Sequence, residues 1–228
     1  MPQKVELLGG LSHNMWPVTQ HLVTNIHNKK PMQVAILKYN AGNICSVLNA
    51  LKRVGCNPIV TDNVETLLCA DRIIFPGQGA AGTTMKYLLE HGLDKVICNL
   101  KQPVLGICIG QQLLCRHSDE DNTDCLGIFP VDIKKFEPKQ HDEKVPAMGW
   151  NNISNLKSPL FNGLKDGDFA YFVHSYYAPL CDYTIATADY VQPFSAALHK
   201  ENFYATQFHP EKSGKVGEQI LENFLNIK

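Results

Sequence analysis

The chain has 228 residues, 44% of them hydrophobic, enough to bury a sizeable core and to favour one large α/β domain over two small ones. Its 21 basic and 22 acidic residues nearly cancel without any run of like charge, so neither a nucleic-acid groove nor a polybasic membrane patch is expected. No segment approaches the roughly 20 apolar residues of a membrane span, and the start lacks the basic and apolar regions of a signal peptide, so a cytoplasmic location is expected.

Residues 1–31 mix polar positions with scattered apolar ones such as Leu7, Met15, Trp16 and Ile26, and follow neither helical nor alternating periodicity. They read as an N-terminal extension without an assigned role, ahead of a single domain over 32–228. From Gln33 the pattern turns regular. "QVAIL" (33–37) reads as a buried strand, and "NICSVLNALKRVG" (43–55) has helical spacing, with Asn43 at a capping position and Gly55 as a stop.

"PIVT" (58–61) and "DRIIF" (71–75) are further strands, the latter followed by the glycine loop "PGQGAAG" (76–82) and a helix around 84–90. "PVLGI" (103–107) is a fourth strand, followed by a helix through Cys115. Short apolar strands alternating with helices predict a mostly parallel twisted sheet flanked by helices, with the site at the carboxyl edge of its strands. In the second half, "FAYFVHSYYA" (169–178), "YTIATADY" (183–190), "SAALHK" (195–200) and "FYATQFHP" (203–210) are strand-like runs with short polar connections, expected as appended antiparallel strands. "GEQILENFLNI" (217–227) closes the chain as a helix.

The eight cysteines stand at 45, 56, 69, 98, 108, 115, 125 and 181, with no C-x-x-C pair and no Cys/His spacing suited to tetrahedral zinc. Reduced thiols and no metal are expected, most of the cysteines serving as small hydrophobes. Cys108 differs because "GICIG" places it between Gly106 and Gly110 at a strand-to-helix junction. A nucleophile there sits in a tight bend that flanking glycines permit, as in the G-x-S-x-G elbow, and a following helix favours thiolate through its free N–H groups.

A thiolate needs a proton partner. In "QFHPE" (207–211), His209 closes a strand, Pro210 stops ladder pairing, and Glu211 lies two residues on, where its carboxylate can orient the imidazole. His174 in "FVHSYY" is the rival base, but it sits within a strand and has no neighbouring acid in sequence. "PGQGAAG" lacks the Lys-Ser/Thr of a phosphate loop, and its G-x-G-x-x-G (Gly77, Gly79, Gly82) is weak evidence for a dinucleotide; its amides suit an oxyanion hole instead.

The elbow "GICIGQQLL", the upstream "PGQGAAG" and the downstream "QFHPEKSG", in this order, resemble the class I (triad) glutamine amidotransferases from about Gln33 onward. Within that class, "KYNAGN" (38–43), "VPAMGWN" (145–151) and "YFVHSYY" (171–177) are similar to the glutaminase subunit of imidazole glycerol phosphate synthase. The resemblance implies a cofactor-free enzyme that hydrolyses glutamine and, as a heterodimer, passes ammonia to a (β/α)8 cyclase subunit in histidine biosynthesis. It implies Cys108, His209 and Glu211 as the catalytic triad. It implies Gly77, Gln78, Gly79 and Ile109 at the oxyanion hole, and Gln112, Glu120, Ser175 and Tyr176 around the amino-acid end of glutamine. Asn43, Pro146, Met148, Trp150 and Asn151 would face the cyclase.

This sequence departs from the family pattern at Gln78 and Gln111, where apolar residues are commoner, at Ala147, where histidine is common, and at "KYN". Two other readings keep part of the pattern: a triad glutaminase serving a different synthase, or a binding subunit that is catalytically silent. Another family of cysteine hydrolases or redox sensors fits less well, since such an elbow does not normally combine with "HPE" and "MGWN".

Overall fold

Side-chain alternation along the first strand sets up both faces of the sheet. In β1 (Val34–Leu37), Val34 and Ile36 join one buried cluster while Ala35 and Leu37 join the other. The computed structural model describes residues 32–39, 44–141 and 143–227. The proposed extension 1–31, the predicted cap Asn43 and the end of "KYNAGN" lie outside the described residues.

The chain continues through α1 (Ile44–Arg53), β2 (Ile59–Thr61), α2 (Val64–Cys69), β3 (Arg72–Phe75), α3 (Ala81–Glu90), α4 (Leu93–Asn99), β4 (Val104–Ile107) and α5 (Ile109–Leu114). β1 pairs in parallel with β2 and β3, and β3 in parallel with β4. Residues of α1 pack on the Val34/Ile36 face, and those of α3, α4 and α5 on the Ala35/Leu37 face, so the predicted parallel sheet is flanked on both sides. The predicted helix after Cys108 is shorter than its apolar pattern suggests. α5 ends at Leu114, and Cys115 opens β5 (Cys115–Ser118).

A second sheet forms from β5, β6 (Thr123–Asp124), β7 (Phe129–Lys135) and β10 (Tyr176–Tyr177), in the order β10-β7-β5-β6. β8 (Ala147–Asn152) and β9 (Phe169–His174) make a separate antiparallel ribbon. β11 (Thr184–Tyr190), β12 (Gln192–Lys200) and β13 (Phe203–Thr206) complete the main sheet, in the order β11-β12-β13-β4-β3-β1-β2. α6 (Gly214–Asn226) packs on the Val34/Ile36 face.

Two of the four expected appended strands therefore behave differently. β13 is antiparallel to β12 but parallel to β4, and so belongs to the parallel core, while 169–174 leaves the main sheet for the ribbon with "MGWN". All eight cysteines are free, and Cys45, Cys69 and Cys98 are exposed rather than packed as small hydrophobes. No helix of the described residues is long and apolar enough to cross a membrane.

Candidate active site

Four carboxyl ends of the parallel strands converge: Tyr39 beyond β1, "PGQG" beyond β3, Cys108 beyond β4 and His209 beyond β13. Cys108 has φ 52 and ψ −108, a conformation that non-glycine residues rarely adopt and that aims its side chain away from the turn. Gly106 and Gly110 make this bend possible. A Cβ on Gly110 would stand 2.4 Å from the Phe75 carbonyl oxygen, and one on Gly106 would stand 2.9 Å from the Gly110 backbone. Gly77 is equally constrained, since its Cβ would fall 1.8 Å from the Ile107 carbonyl oxygen and 2.8 Å from Cβ of Cys108. The glycine loop is thus explained by its seat on the elbow, with no phosphate required.

His209 lies three residues past the end of β13 rather than closing it, and the turn Pro210–Lys212 brings Glu211 back toward the ring. Glu211 Oε1 is 2.7 Å from His209 Nδ1, and both side chains are almost wholly buried. Ser213 Oγ donates to the His209 carbonyl at 2.6 Å and the His209 N–H donates to the Tyr171 carbonyl, so the backbone of the histidine is held at both ends. Nε2 is buried without a hydrogen bond of ordinary geometry. The group acting on the ring besides Glu211 is Cys108: burial disfavours the imidazolium, but the charge and hydrogen bonding of Cys108 and then of Glu211 outweigh it. The His209 pKa is pushed up to about 10.

His174 is different. Its Nδ1 is 2.7 Å from the Tyr176 carbonyl, which makes Nδ1 the donor and leaves Nε2 a lone pair. Burial, assisted by the charge of His209 and opposed by the Tyr176 bond, lowers its pKa to about 4. It is neutral at physiological pH and a weak base.

A cavity of about 290 Å³ opens over Cys108 and His209. Gly77, Gln78, Gly79, Ile109, Gln112, Glu120, Ser175 and Tyr176 line it, together with His174, the rival base, and with Val173 and Lys212, which the sequence reading did not include. Glu211 stands behind His209 rather than in the wall. The Gln112 amide is buried and donates to the Tyr176 carbonyl at 3.1 Å. Glu120 accepts the Ala81 N–H at 2.7 Å at the start of α3; burial raises its pKa, that bond opposes the rise, and Asp121 adds to it. The N–H of Gln78 donates to the Tyr39 hydroxyl, which itself donates to the Pro76 carbonyl at 2.5 Å. Presenting that N–H to an oxyanion requires breaking the first of these bonds. Among the described residues, no three His, Cys, Asp or Glu side chains are grouped to hold a metal ion.

A profile of the family "Glutamine amidotransferase class-I" matches residues 36–227, most of the chain. The chain belongs to the class I glutamine amidotransferases. Proteins named imidazole glycerol phosphate synthase subunit HisH from Bacteroides thetaiotaomicron and Escherichia coli are 60% and 44% identical to this amidotransferase, each over 86% of its length and 100% of theirs. Among solved structures, one of a glutamine amidotransferase superposes with a TM-score of 0.66 at 17% identity, covering 85% of this chain and 99% of that one, a likeness of fold.

The amidotransferase carries an exposed apolar strip on the β8–β9 ribbon. Met148 is 67% exposed and Trp150 56%, so neither serves the core, and Pro146 lies on the same exposed alternation. Phe169, 53% exposed, extends this face across the ribbon, a contribution the sequence reading missed. Trp150 stands opposite Tyr171 and Met148 opposite Val173, so the strip runs to the cavity wall. Asn151 is turned the other way and donates to the Asp189 carbonyl at 2.9 Å. Asn43 is outside the described residues.

The site also contains a residue that the motif displayed but sequence reasoning passed over. Gln207, the first letter of "QFHPE", is fully buried with its amide 3.7 Å from the Cys108 sulfur.

The coupling of His209 to Cys108 has a pH signature. An ordinary imidazole discharges near 6.5, so any stability that the raised His209 contributes is complete below that value and is lost as pH climbs through about 10. NMR of the His209 ring is expected to show imidazolium persisting through pH 8. In Cys108→Ala, burial remains while the leading upward causes are gone, and the ring should discharge at distinctly lower pH; an unchanged titration would show that the sulfur does not act on it.

Proposed function

We propose that this chain is the glutamine-hydrolysing subunit of an imidazole glycerol phosphate synthase, acting in the cytoplasm through residues 32–228 as a single domain. The observation that carries the chemistry is the buried His209–Glu211 pair acting on a cysteine held in a strained elbow. Cys108 Sγ adds as thiolate to the side-chain carbonyl of glutamine, and the oxyanion is met by the Ile109 N–H and by amides of the Gly77–Gly79 segment. Imidazolium His209 protonates the leaving nitrogen, ammonia departs, and a glutamyl thioester remains. Neutral His209 then takes a proton from water as it attacks the thioester, glutamate leaves, and the thiolate–imidazolium pair is restored. Glu211 keeps the ring oriented throughout. Gln112, Glu120, Ser175 and Tyr176 hold the amino-acid end, and no cofactor is needed.

Ammonia in water at neutral pH is largely protonated and non-nucleophilic, so the product must cross a dry seam. The exposed Pro146, Met148 and Trp150 and the adjoining Phe169 suit such a seam with a (β/α)8 cyclase subunit, since aromatic and Met side chains are enriched at interface cores. The names of the relatives support this partner and the histidine-biosynthetic role. Asn43 completes the proposed docking set; Asn151, bonded to the Asp189 carbonyl on the other face of the ribbon, stands apart from it.

Glutaminase assays with and without the cyclase and its nucleotide test the reading. Turnover of the isolated chain is expected to be slow, because the Gln78 N–H is engaged by Tyr39, and to rise greatly in the liganded complex. Fast turnover indifferent to the cyclase would refute the proposal, and stimulation only by another synthase would assign a different ammonia acceptor.

A further inference from the structure

We propose that Gln207 is a positioning residue for the thiol, joining the Cys108 sulfur to the wall of the glutamine site. This role rests on the amidotransferase reading above and adds a residue to its machinery. Gln207 directly follows β13, and its backbone N–H donates to the Ala196 carbonyl at 2.8 Å, so its place is fixed by the sheet. Its side chain lies between two groups: Nε2 is 3.7 Å from Cys108 Sγ, and Oε1 is 3.0 Å from Gln112 Nε2.

The direction of this relay follows from its far end. The Tyr176 carbonyl only accepts, so the Gln112 atom facing it at 3.1 Å is the NH2 group. That same nitrogen then donates to Gln207, which must present Oε1 to it. With its oxygen committed, Gln207 can turn only its NH2 toward the sulfur. A donor aimed at sulfur favours the charged acceptor, because hydrogen bonds to an ionised partner are roughly twice as strong as neutral ones. The second neighbour of Sγ, the Val173 carbonyl at 3.8 Å, has the opposite preference, since it accepts from a thiol and repels a thiolate. Gln207 therefore acts with His209 to draw the sulfur away from its thiol contact and toward the reactive form.

An apolar side chain of similar size would fill this buried position without any need for satisfied amide atoms, so the relay needs a reason beyond packing. Its other end lies in the wall proposed to hold glutamine, through Gln112 and Tyr176. Substrate that shifts Gln112 would act on the sulfur through Gln207.

The test is the pH profile of Cys108 alkylation by iodoacetamide, read by mass spectrometry on the Cys108 peptide of the full chain. Gln207→Met removes the donor, and Gln207→Glu places an anionic oxygen against the sulfur in the same shape. Both profiles are expected to move to higher pH, with Gln207→Glu further displaced, and the Gln207→Met rate at pH 7 to fall about tenfold. Gln112→Met, which cuts the relay without touching Gln207, should move the profile the same way by less, and covers the case in which a Gln207 variant does not fold. In the complex, kcat for glutamine should fall more than KM rises. Folded variants with the wild-type alkylation profile would overturn the proposal, as would a Gln112→Met profile unmoved where neither Gln207 variant folds. Alkylation needs no glutamine, so wild-type protein without glutaminase activity would sink the amidotransferase reading while leaving this one measurable.

Discussion

Cys108→Ala is expected to abolish glutamine hydrolysis while leaving synthesis from ammonium salts by the complex intact. The substitution removes the sulfur proposed to carry the thioester, and with it the charge that supports imidazolium at His209. Loss of a covalent nucleophile from a triad lowers turnover by about ten-thousand-fold or more, the remainder coming from binding and the oxyanion hole. Stability should change little. Cys108 is only partly buried, and alanine keeps the same Cβ in the strained turn, so a shift of about 1 kcal/mol is expected. Glutamate release measured beside ammonia-driven product formation separates the two activities. Loss of both would mean that the elbow also shapes the partner's site.

Glu211→Gln should leave the fold in place and lower kcat by about a hundred- to ten-thousand-fold, the range expected when a triad's orienting carboxylate is neutralised. The shape is conserved but the charge is not. His209 then has burial against it and only Cys108 in support, so its pKa falls from about 10. A further penalty comes from Glu211 Oε2, which is buried without a hydrogen-bond partner. A carboxamide NH2 in that position would be an unsatisfied donor, and the amide that avoids it would turn its NH2 on His209 Nδ1 and select the wrong tautomer. Steady-state kinetics should show the loss in kcat with KM little changed. A variant within a few-fold of wild type would show that the carboxylate does not orient the base.

The parallel core was readable because its strands are short apolar runs punctuated by glycine, and the elbow because Gly106, Cys108 and Gly110 sit at one such boundary. What the pattern could not convey was tertiary approach. β13 looks like its antiparallel neighbours in sequence, but its pairing with β4 places His209 beside Cys108. The role of Gly77 comes from the Ile107 carbonyl, thirty positions away, and no local rule points to it.

Other signals were present and unused. β7 alternates buried Phe129, Val131 and Ile133 with more exposed neighbours, a half-buried strand by period alone. α2 is capped by Asn63, whose side chain accepts the Thr66 N–H, a capping pattern visible in "DNVET". Trp150 and Met148 stood out as residues, but only the ribbon shows that they share an exposed face with Phe169. Gln207 was legible as a letter of "QFHPE" and illegible as a contact of the sulfur.

The chemistry turns on which side chain attacks glutamine's carbonyl carbon. Incubating the chain, alone and with the proposed cyclase subunit, with a diazoketone analogue of glutamine, which the nucleophile captures at the diazo-bearing carbon with loss of N2, then mapping the adduct by peptide mass spectrometry, identifies that side chain. A single adduct on Cys108, blocked by excess glutamine and missing from Cys108→Ala, is the predicted result. Stoichiometric labelling of another residue, or labelling that persists in Cys108→Ala, would contradict it.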